Sequence, residues 1–184
     1  MGLSLITAAA SYPITLADAK KVCRIDTGNT AFDGLIEDYL IPGAVGELER
    51  LTGRGFVSQV WRLSLDGFSA TMELPRAPVT AVGSVKYHDT AGVLQTAAVS
   101  LYTVDLVSEP QWVVLNDGKT WPETMVGVNT VLIDFTVGYA TLPADLKIVL
   151  LALVAHRFIN GVGAEAPPAL ASLVNPFRTL WTPA

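Results

Sequence analysis

The chain has 184 residues, of which 51% are hydrophobic and 16% are charged, and its formal net charge is -5. This composition excludes a disordered tail, and together with a mean hydropathy of +0.43 it favours an oligomer. The acidic balance and the lack of a dense Lys and Arg cluster argue against a surface that grips nucleic acid by neutralising phosphates. A single cysteine, Cys23, excludes an intrachain disulfide and a CxxC metal or redox site, and it fits a reducing, cytoplasmic origin.

Two helices are predicted near the amino terminus. Residues 1–13 lack the basic start of a secretory signal, and we interpret them as a flexible arm. The next residues predict a short amphipathic helix capped by Thr15, and a second helix follows over residues 31–52. Pro42 lies inside this second pattern, so we expect a kink or break there, and Gly53 ends the helix.

Residues 56–139 change to an alternating pattern rich in Val, Thr, Trp and Tyr, which predicts an inserted antiparallel β domain. A hairpin is predicted around Asp66-Gly67, and a second one is predicted around residues 89–92. In the last strand, over residues 130–139, alternate positions are apolar, which predicts that one face of that strand is buried.

Residues 143–161 predict a central helix. Pro143 suits the first turn, Asp145 complements the helix dipole, and Asn160 with Gly161 favours an end in the left-handed conformation. The apolar residues cover every angle of this helix, so we expect other elements to wrap most of it. The apolar run is too short for a membrane span, since Lys147 and the His156-Arg157 pair close it early.

The residues after the central helix predict a loop, a short helix over residues 169–174 and an apolar tail. The complete prediction is an α+β protein: a small helical bundle from residues 14–55 and 140–162, the β domain over residues 56–139, and a C-terminal segment over residues 163–184.

Four segments in a fixed order carry a resemblance to a known family. They are residues 14–26 (ITLADAKKVCRID), 51–56 (LTGRGF), 73–89 (ELPRAPVTAVGSVKYHD) and 137–161 (VGYATLPADLKIVLLALVAHRFING). In this order the chain resembles the head-tail connector family of tailed bacteriophages, also called adaptor or head-completion proteins, in the long form with a β insert. Such proteins also occur in gene transfer agents.

The resemblance implies a structural protein of a virion or phage-like particle, assembled in the bacterial cytoplasm. It implies a homo-oligomeric ring, expected to be twelvefold, that binds the portal protein and then a stopper or tail-terminator protein, while DNA passes through without sequence-specific binding. It implies no catalysis, cofactor, metal or membrane. The expected portal-docking residues are Leu173, Phe177, Arg178, Leu180 and Trp181. The expected channel-facing or intersubunit residues are Asp33, Glu37, Glu47, Arg50 and Arg54.

The residues also leave two alternatives open. Strand aromatics, namely Trp61, Tyr87, Trp112 and Trp121, suit a carbohydrate-binding module, although strand aromatics more often fill cores or protein interfaces. An enzyme ranks below this module, because Cys23 and the two histidines, His88 and His156, form no recognisable set of nucleophile, base and anion hole.

Overall fold

Two units make up the part of the chain that the computed structural model describes, residues 1–179. A helical unit contains Ala10–Val57 and Tyr139–Arg178. A β unit contains Met1–Ala9 and Ser58–Gly138. The protein is therefore α+β: one strand precedes the helices, and the other strands are inserted in sequence between the third helix and the fourth.

The helical unit is built from five α-helices, a π-helical turn and a final 3₁₀ turn. In chain order they are α1 (Leu16–Val22), α2 (Asp33–Leu35), the π-helix Ile36–Leu40, α3 (Ile41–Thr52), α4 (Ala144–Asn160), α5 (Pro168–Val174) and the turn Asn175–Phe177. Helix α1 begins as predicted, because the Thr15 hydroxyl oxygen accepts a hydrogen bond from the Asp18 amide at 3.1 Å. Helix α3 ends at Gly53, which adopts φ +70 and ψ +12 in the left-handed region.

The irregularity expected at Pro42 takes the form of a π-helical turn just before it. Pro42 lies in the first turn of α3, and the amide of Ile41 donates to the carbonyl of Ile36 in the five-residue spacing of a π-helix. A proline cannot donate to the preceding turn and its ring crowds the carbonyl four residues back. The wider turn keeps the helical path from Asp33 to Thr52 continuous across that position.

Helix α4 is the centre of the helical core. Leu146, Val149, Leu150, Leu153 and Val154 are buried, and they pack with residues of α1, the π-helix and α3 such as Ala19, Leu40 and Leu48. The helix is not wrapped on every side, since Ile148 is 62% exposed and Ile159 is 75% exposed. Its last residue precedes Gly161, which has a positive φ of 103 but an extended ψ of 150, rather than the predicted left-handed helical conformation.

The β unit contains two antiparallel sheets. The first has the order β1-β2-β8-β4-β5 and the second has the order β3-β7-β6. The strands are β1 (Gly2–Thr7), β2 (Gln59–Leu65), β3 (Thr71–Leu74), β4 (Val79–His88), β5 (Leu94–Thr96), β6 (Tyr102–Asp105), β7 (Gln111–Leu115) and β8 (Val131–Val137). Strand β8 is central in its sheet and alternates as predicted: Val131, Ile133, Phe135 and Val137 are fully buried.

The hairpin predicted around Asp66-Gly67 is wrong, whereas the hairpin of β4 and β5 is confirmed. Strand β3 leaves β2 and pairs with β7 in the second sheet. The polar groups of Asp66 bind elsewhere: its carboxylate accepts from the Asn129 amide at 2.9 Å and its carbonyl accepts from the Thr130 hydroxyl at 2.7 Å. Asp66 therefore fixes the entry to β8 instead of closing a two-strand turn.

The first residues are an edge strand in the structure. Sequence analysis predicts a flexible arm over residues 1–13, but Gly2–Thr7 form β1, which pairs with β2 in antiparallel register from Gly2 opposite Ser64 to Thr7 opposite Val60. All six residues of β1 are exposed. The strand therefore depends on main-chain hydrogen bonds to β2, with little burial of side chains.

Candidate assembly surfaces

The C-terminal segment packs on the helical unit as far as the structure describes it. Val174 at the end of α5 is 2% exposed and belongs to the helical core, and Leu170 and Phe177 pack against that core. Two arginines add hydrogen bonds to main-chain carbonyls: Arg54 Nε donates to Phe177 at 2.6 Å, and Arg178 Nε donates to Leu51 at 3.0 Å. The segment is thus attached to the end of α3.

Arg54 is buried at this attachment, although sequence analysis places it on a channel or intersubunit surface. The residue is 8% exposed, and its NH1 group also donates to the Tyr139 hydroxyl at 3.2 Å. A buried guanidinium is tolerated where its donors find acceptors, since unsatisfied buried charge is costly. Arg54 is therefore an internal structural residue that connects residues distant in sequence.

The residues predicted to dock on the portal lie in different environments. Leu173 is 55% exposed on α5, Phe177 is half-buried against the core, and Arg178 is exposed while its guanidinium binds the Leu51 carbonyl. Leu180 and Trp181 lie outside the described residues. Within the part that is described, Leu173 is the member of this set whose apolar side chain is most available to another protein.

The charged residues predicted for a channel or intersubunit surface also lie in different environments. Asp33 forms an ion pair with the buried Lys20 at 2.5 Å, and Glu47 forms an ion pair with Arg157. Glu37 and Arg50 are exposed, and Glu37 lines an open cleft of about 510 Å³ together with Tyr12 and other residues. The structure therefore assigns two of the predicted acidic residues to ion pairs within the chain and leaves Glu37 on the surface.

A further ion pair joins α1 to α4. Lys147 Nζ lies 3.0 Å from the Asp18 carboxylate, and the hydrogen bond from Lys147 lowers the pKa of Asp18 below its ordinary value. Like the pair between Glu47 and Arg157, it ties a charge on α4 to a neighbouring helix. The two basic residues of α4 thus have counter-ions within the chain.

Several exposed apolar residues were missed by sequence analysis. Ile148 and Ile159 project from α4, and the β unit presents Val107 and Val126 with exposed fractions of 95% and 101%. The sequence does contain a signal for the first pair, because α4 is apolar at every angle and a bundle of a few short helices cannot cover all of it. Two exposed isoleucines on one face of a helix are typical of a surface that binds another protein, whereas a single exposed valine is normal on a protein surface.

Several aromatic residues of the β unit pack together in one cluster. The Trp121 ring stacks on Phe68 with centroids 4.3 Å apart and lies 5.8 Å from Tyr102, while its Nε1 donates to the Ser69 carbonyl. The Arg76 guanidinium covers the Trp61 ring at 3.9 Å. These contacts account for Trp61 and Trp121 as packing residues.

The residues considered for catalysis lie on separate elements: Cys23 follows α1, His88 ends β4 and His156 lies on α4. Burial raises the pKa of the Cys23 thiol, which disfavours the reactive thiolate. His156 lies beside Asn160, whose side-chain Nδ2 is 3.2 Å from His156 Nδ1 and donates to the His156 carbonyl at 2.9 Å in the last turn of α4. Over residues 1–179, no group of three or more His, Cys, Asp or Glu side chains is placed to hold a metal ion. No helix in the described part of the chain is long and apolar enough to cross a membrane.

The chain is similar in fold to proteins of gene transfer agent particles. No protein-family model and no curated protein matches the chain. A chain in the neck of an empty gene transfer agent particle, computed with C6 symmetry, matches with a TM-score of 0.82 and 25% identity, over 99% of this chain and 97% of that one. A chain in the virion of a native gene transfer agent particle matches with a TM-score of 0.79 and 26% identity, over the same shares.

A third match comes from the neck of a native gene transfer agent particle computed with C12 symmetry, with a TM-score of 0.74, 26% identity and the same coverage. The matches extend over both units and over nearly the whole length of each chain. The resemblance to head-tail connector proteins that the sequence predicts, gene transfer agents included, is thereby confirmed.

Proposed function

We propose that this chain is a structural protein of the neck of a phage-like particle, and specifically the adaptor that joins the DNA-filled capsid to the tail. The observation that carries the proposal is the match over 99% of the chain to a protein in the neck of a gene transfer agent particle. A match of this extent includes both the helical unit and the β unit, so it reflects the whole architecture rather than a common supersecondary motif.

The adaptor forms a homo-oligomeric ring of twelve copies below the portal. The necks that contain the matching chains were computed with sixfold and twelvefold symmetry, which agrees with this number. A mean hydropathy of +0.43 and the exposed Ile148 and Ile159 give a single copy apolar surface that neighbours can cover. The ring acts by assembly, and the mechanism requires no bond-making chemistry.

The C-terminal segment binds the portal, and Leu173 is the exposed apolar residue of this segment that contacts it. Its base is fixed by Val174 in the core and by the hydrogen bond from Arg54 to the Phe177 carbonyl, so the segment leaves the helical unit at a defined place. A fixed base lowers the conformational entropy that binding has to overcome. The other side of the ring receives the stopper or tail-terminator protein.

DNA passes through the ring without sequence-specific binding. The chain carries a formal net charge of -5, and Glu37 is exposed beside the exposed Asp38. Acidic side chains that face a channel repel phosphates, which keeps the duplex from adhering to the wall. Glu37 is therefore the channel-facing candidate among the five charged residues, and Arg50 is the candidate for a contact with a neighbouring copy.

The first experiment is native mass spectrometry of the purified chain, alone and with the portal protein of the same particle. We expect a ring, either alone or on the portal, and Leu173→Glu should lower portal attachment at least tenfold while the protein stays folded. Val107→Glu is the matched control, because it places the same charge on an exposed valine of the β unit. A chain that stays monomeric and ignores the portal contradicts the proposal.

A further inference from the structure

One side of α4 forms a continuous apolar stripe, which we define as Ile148, Ala152, Ala155 and Ile159. These positions are spaced by four, three and four residues, so they project from the same face of the helix. Both isoleucines are exposed, at 62% and 75%, and the two alanines between them are partly exposed. The stripe has two large side chains at its ends and a shallow groove at its centre.

The stripe shares one feature with the centres of protein interfaces, which are depleted of charged residues. It contains no charged residue, and small residues at its middle permit another backbone to approach closely. Asp145 is exposed one turn before Ile148, and the two basic residues of α4 have counter-ions within the chain, since Lys147 pairs with Asp18 and Arg157 pairs with Glu47. Covering the stripe therefore removes apolar area from water and leaves neither of these charges without its counter-ion.

We propose that a neighbouring copy of this chain packs on the α4 stripe in the ring. The inference rests on the proposed function, because it uses the symmetric necks that contain the matching chains. In a cyclic ring every copy uses two different surfaces, one for each neighbour. The stripe is one of these two surfaces, and it lies on the helix whose opposite face organises the core of its own chain.

The test compares two double variants with the wild type. Ile148→Lys with Ile159→Lys charges both ends of the stripe, and Val107→Lys with Val126→Lys adds the same charge at exposed valines of the β unit. Circular dichroism and the melting temperature establish that each variant is folded. Native mass spectrometry with and without portal then counts closed rings. We expect the stripe variant to lower the ring fraction at least tenfold and the control to leave it within twofold.

Mixing the stripe variant with the wild type adds a second readout. A variant that lacks one of two ring surfaces can still bind one neighbour, so it terminates the growing arc. With one variant copy in ten, closed rings of twelve should fall to roughly 0.3 of the wild-type amount, with arcs in their place. A contact in which two copies use the same surface would instead leave the variant outside the rings and their number nearly unchanged.

The outcomes separate the two proposals. If wild-type protein forms no ring with or without portal, the proposed function fails, and the inference fails with it. If the stripe variant forms rings as well as the wild type does, the inference is overturned and the proposed function stands. If its rings form but no longer bind the portal, the stripe contacts the portal, and the inference is overturned. Should the lysine variant not fold, Ile148→Ser with Ile159→Ser replaces it under the same criteria.

Discussion

Arg54 Nε donates a hydrogen bond of 2.6 Å to the main-chain carbonyl of Phe177, although 123 residues separate the two in sequence. Together with the bond from Arg54 to the Tyr139 hydroxyl, it places one buried guanidinium between three distant parts of the helical unit. Arginine suits this position because the donors of its planar guanidinium point in fixed directions. The segment proposed to bind the portal therefore begins from an ordered contact.

Arg54→Met should loosen this contact. Removing the donors leaves buried acceptors unsatisfied, so we expect the free energy of unfolding to fall by about 1–3 kcal/mol. Hydrogen exchange of residues 168–178 should accelerate more than exchange elsewhere in the helical unit. Arg50→Met is the matched control, since Arg50 is exposed in the last turn of α3, four residues before Arg54. Equal effects of the two substitutions would contradict the role assigned to Arg54.

The pairing of β2 with β8 should make stability depend on acidic pH. Arg62 donates to both carboxylate oxygens of Asp134, at 2.6 and 2.8 Å, and these bonds lower the pKa of Asp134 below its ordinary value. Because the pKa is lower in the folded chain, the ion pair stabilises the protein above the unfolded pKa of about 3.9, and this stability is lost as the pH falls through the folded pKa.

Asp134→Asn should therefore cost about 1–2 kcal/mol at pH 7 and progressively less as the pH falls below about 4. Urea unfolding of both proteins between pH 7 and pH 2.5 measures the difference. Asp117→Asn serves as a control carboxylate, because Asp117 is exposed in the turn that follows β7. A stability difference between wild type and Asp134→Asn that does not change with pH would refute the assignment.

Local signals in the sequence were sufficient for the helices. The Thr15 cap, the Gly53 terminus and the apolar pattern of α4 each depend on residues within a few positions of one another. The π-helical turn before Pro42 was anticipated only as a kink, because the sequence shows that a bond is missing but not how the chain compensates.

Long-range pairing was harder to predict. The Asp66-Gly67 pair has the composition of a hairpin turn, yet Asp66 is used by Asn129 and Thr130, which lie more than 60 positions away. The partner of β3 is also distant in sequence, since Thr71 pairs with Val114. Composition cannot choose between two such pairings, because the free energy depends on which sheet buries the strand.

The surface residues were hard to predict for the same reason, because their environment depends on residues that are distant in sequence. The charges of Asp33 and Glu47 suggested a channel or an intersubunit contact, but the fold brings Lys20 and Arg157 to them. The apolar periphery of α4 predicted coverage on most sides, and the chain itself leaves Ile148 and Ile159 exposed. A sequence records that a side chain prefers burial, but not whether its own chain or a neighbouring copy covers it.

Two substitutions on α4 should distinguish a residue that its own chain buries from one that only a neighbouring copy can cover. Leu150 is fully buried, so Leu150→Ala should lower the free energy of unfolding by about 2–5 kcal/mol through loss of packing and the resulting cavity. Ile148 is exposed in the single chain, so Ile148→Ala should change it by less than about 0.5 kcal/mol. Chemical unfolding at low protein concentration measures both. A large loss for Ile148→Ala in the monomer would show that the chain itself covers this residue.

Deletion of residues 1–7 tests whether β1 is an edge strand rather than a flexible arm. Strand β2 lies between β1 and β8, so some of its amides donate to β1 and the others donate to β8. Removing β1 should accelerate hydrogen exchange at least tenfold for the amides that face β1. The amides that face β8 provide an internal control within the same strand, and they should keep their protection.

The newly exposed edge also offers unpaired donors and acceptors to other chains, so we expect the shortened protein to aggregate more readily. If residues 1–7 instead formed a mobile arm in solution, the deletion would leave exchange at every amide of β2 unchanged.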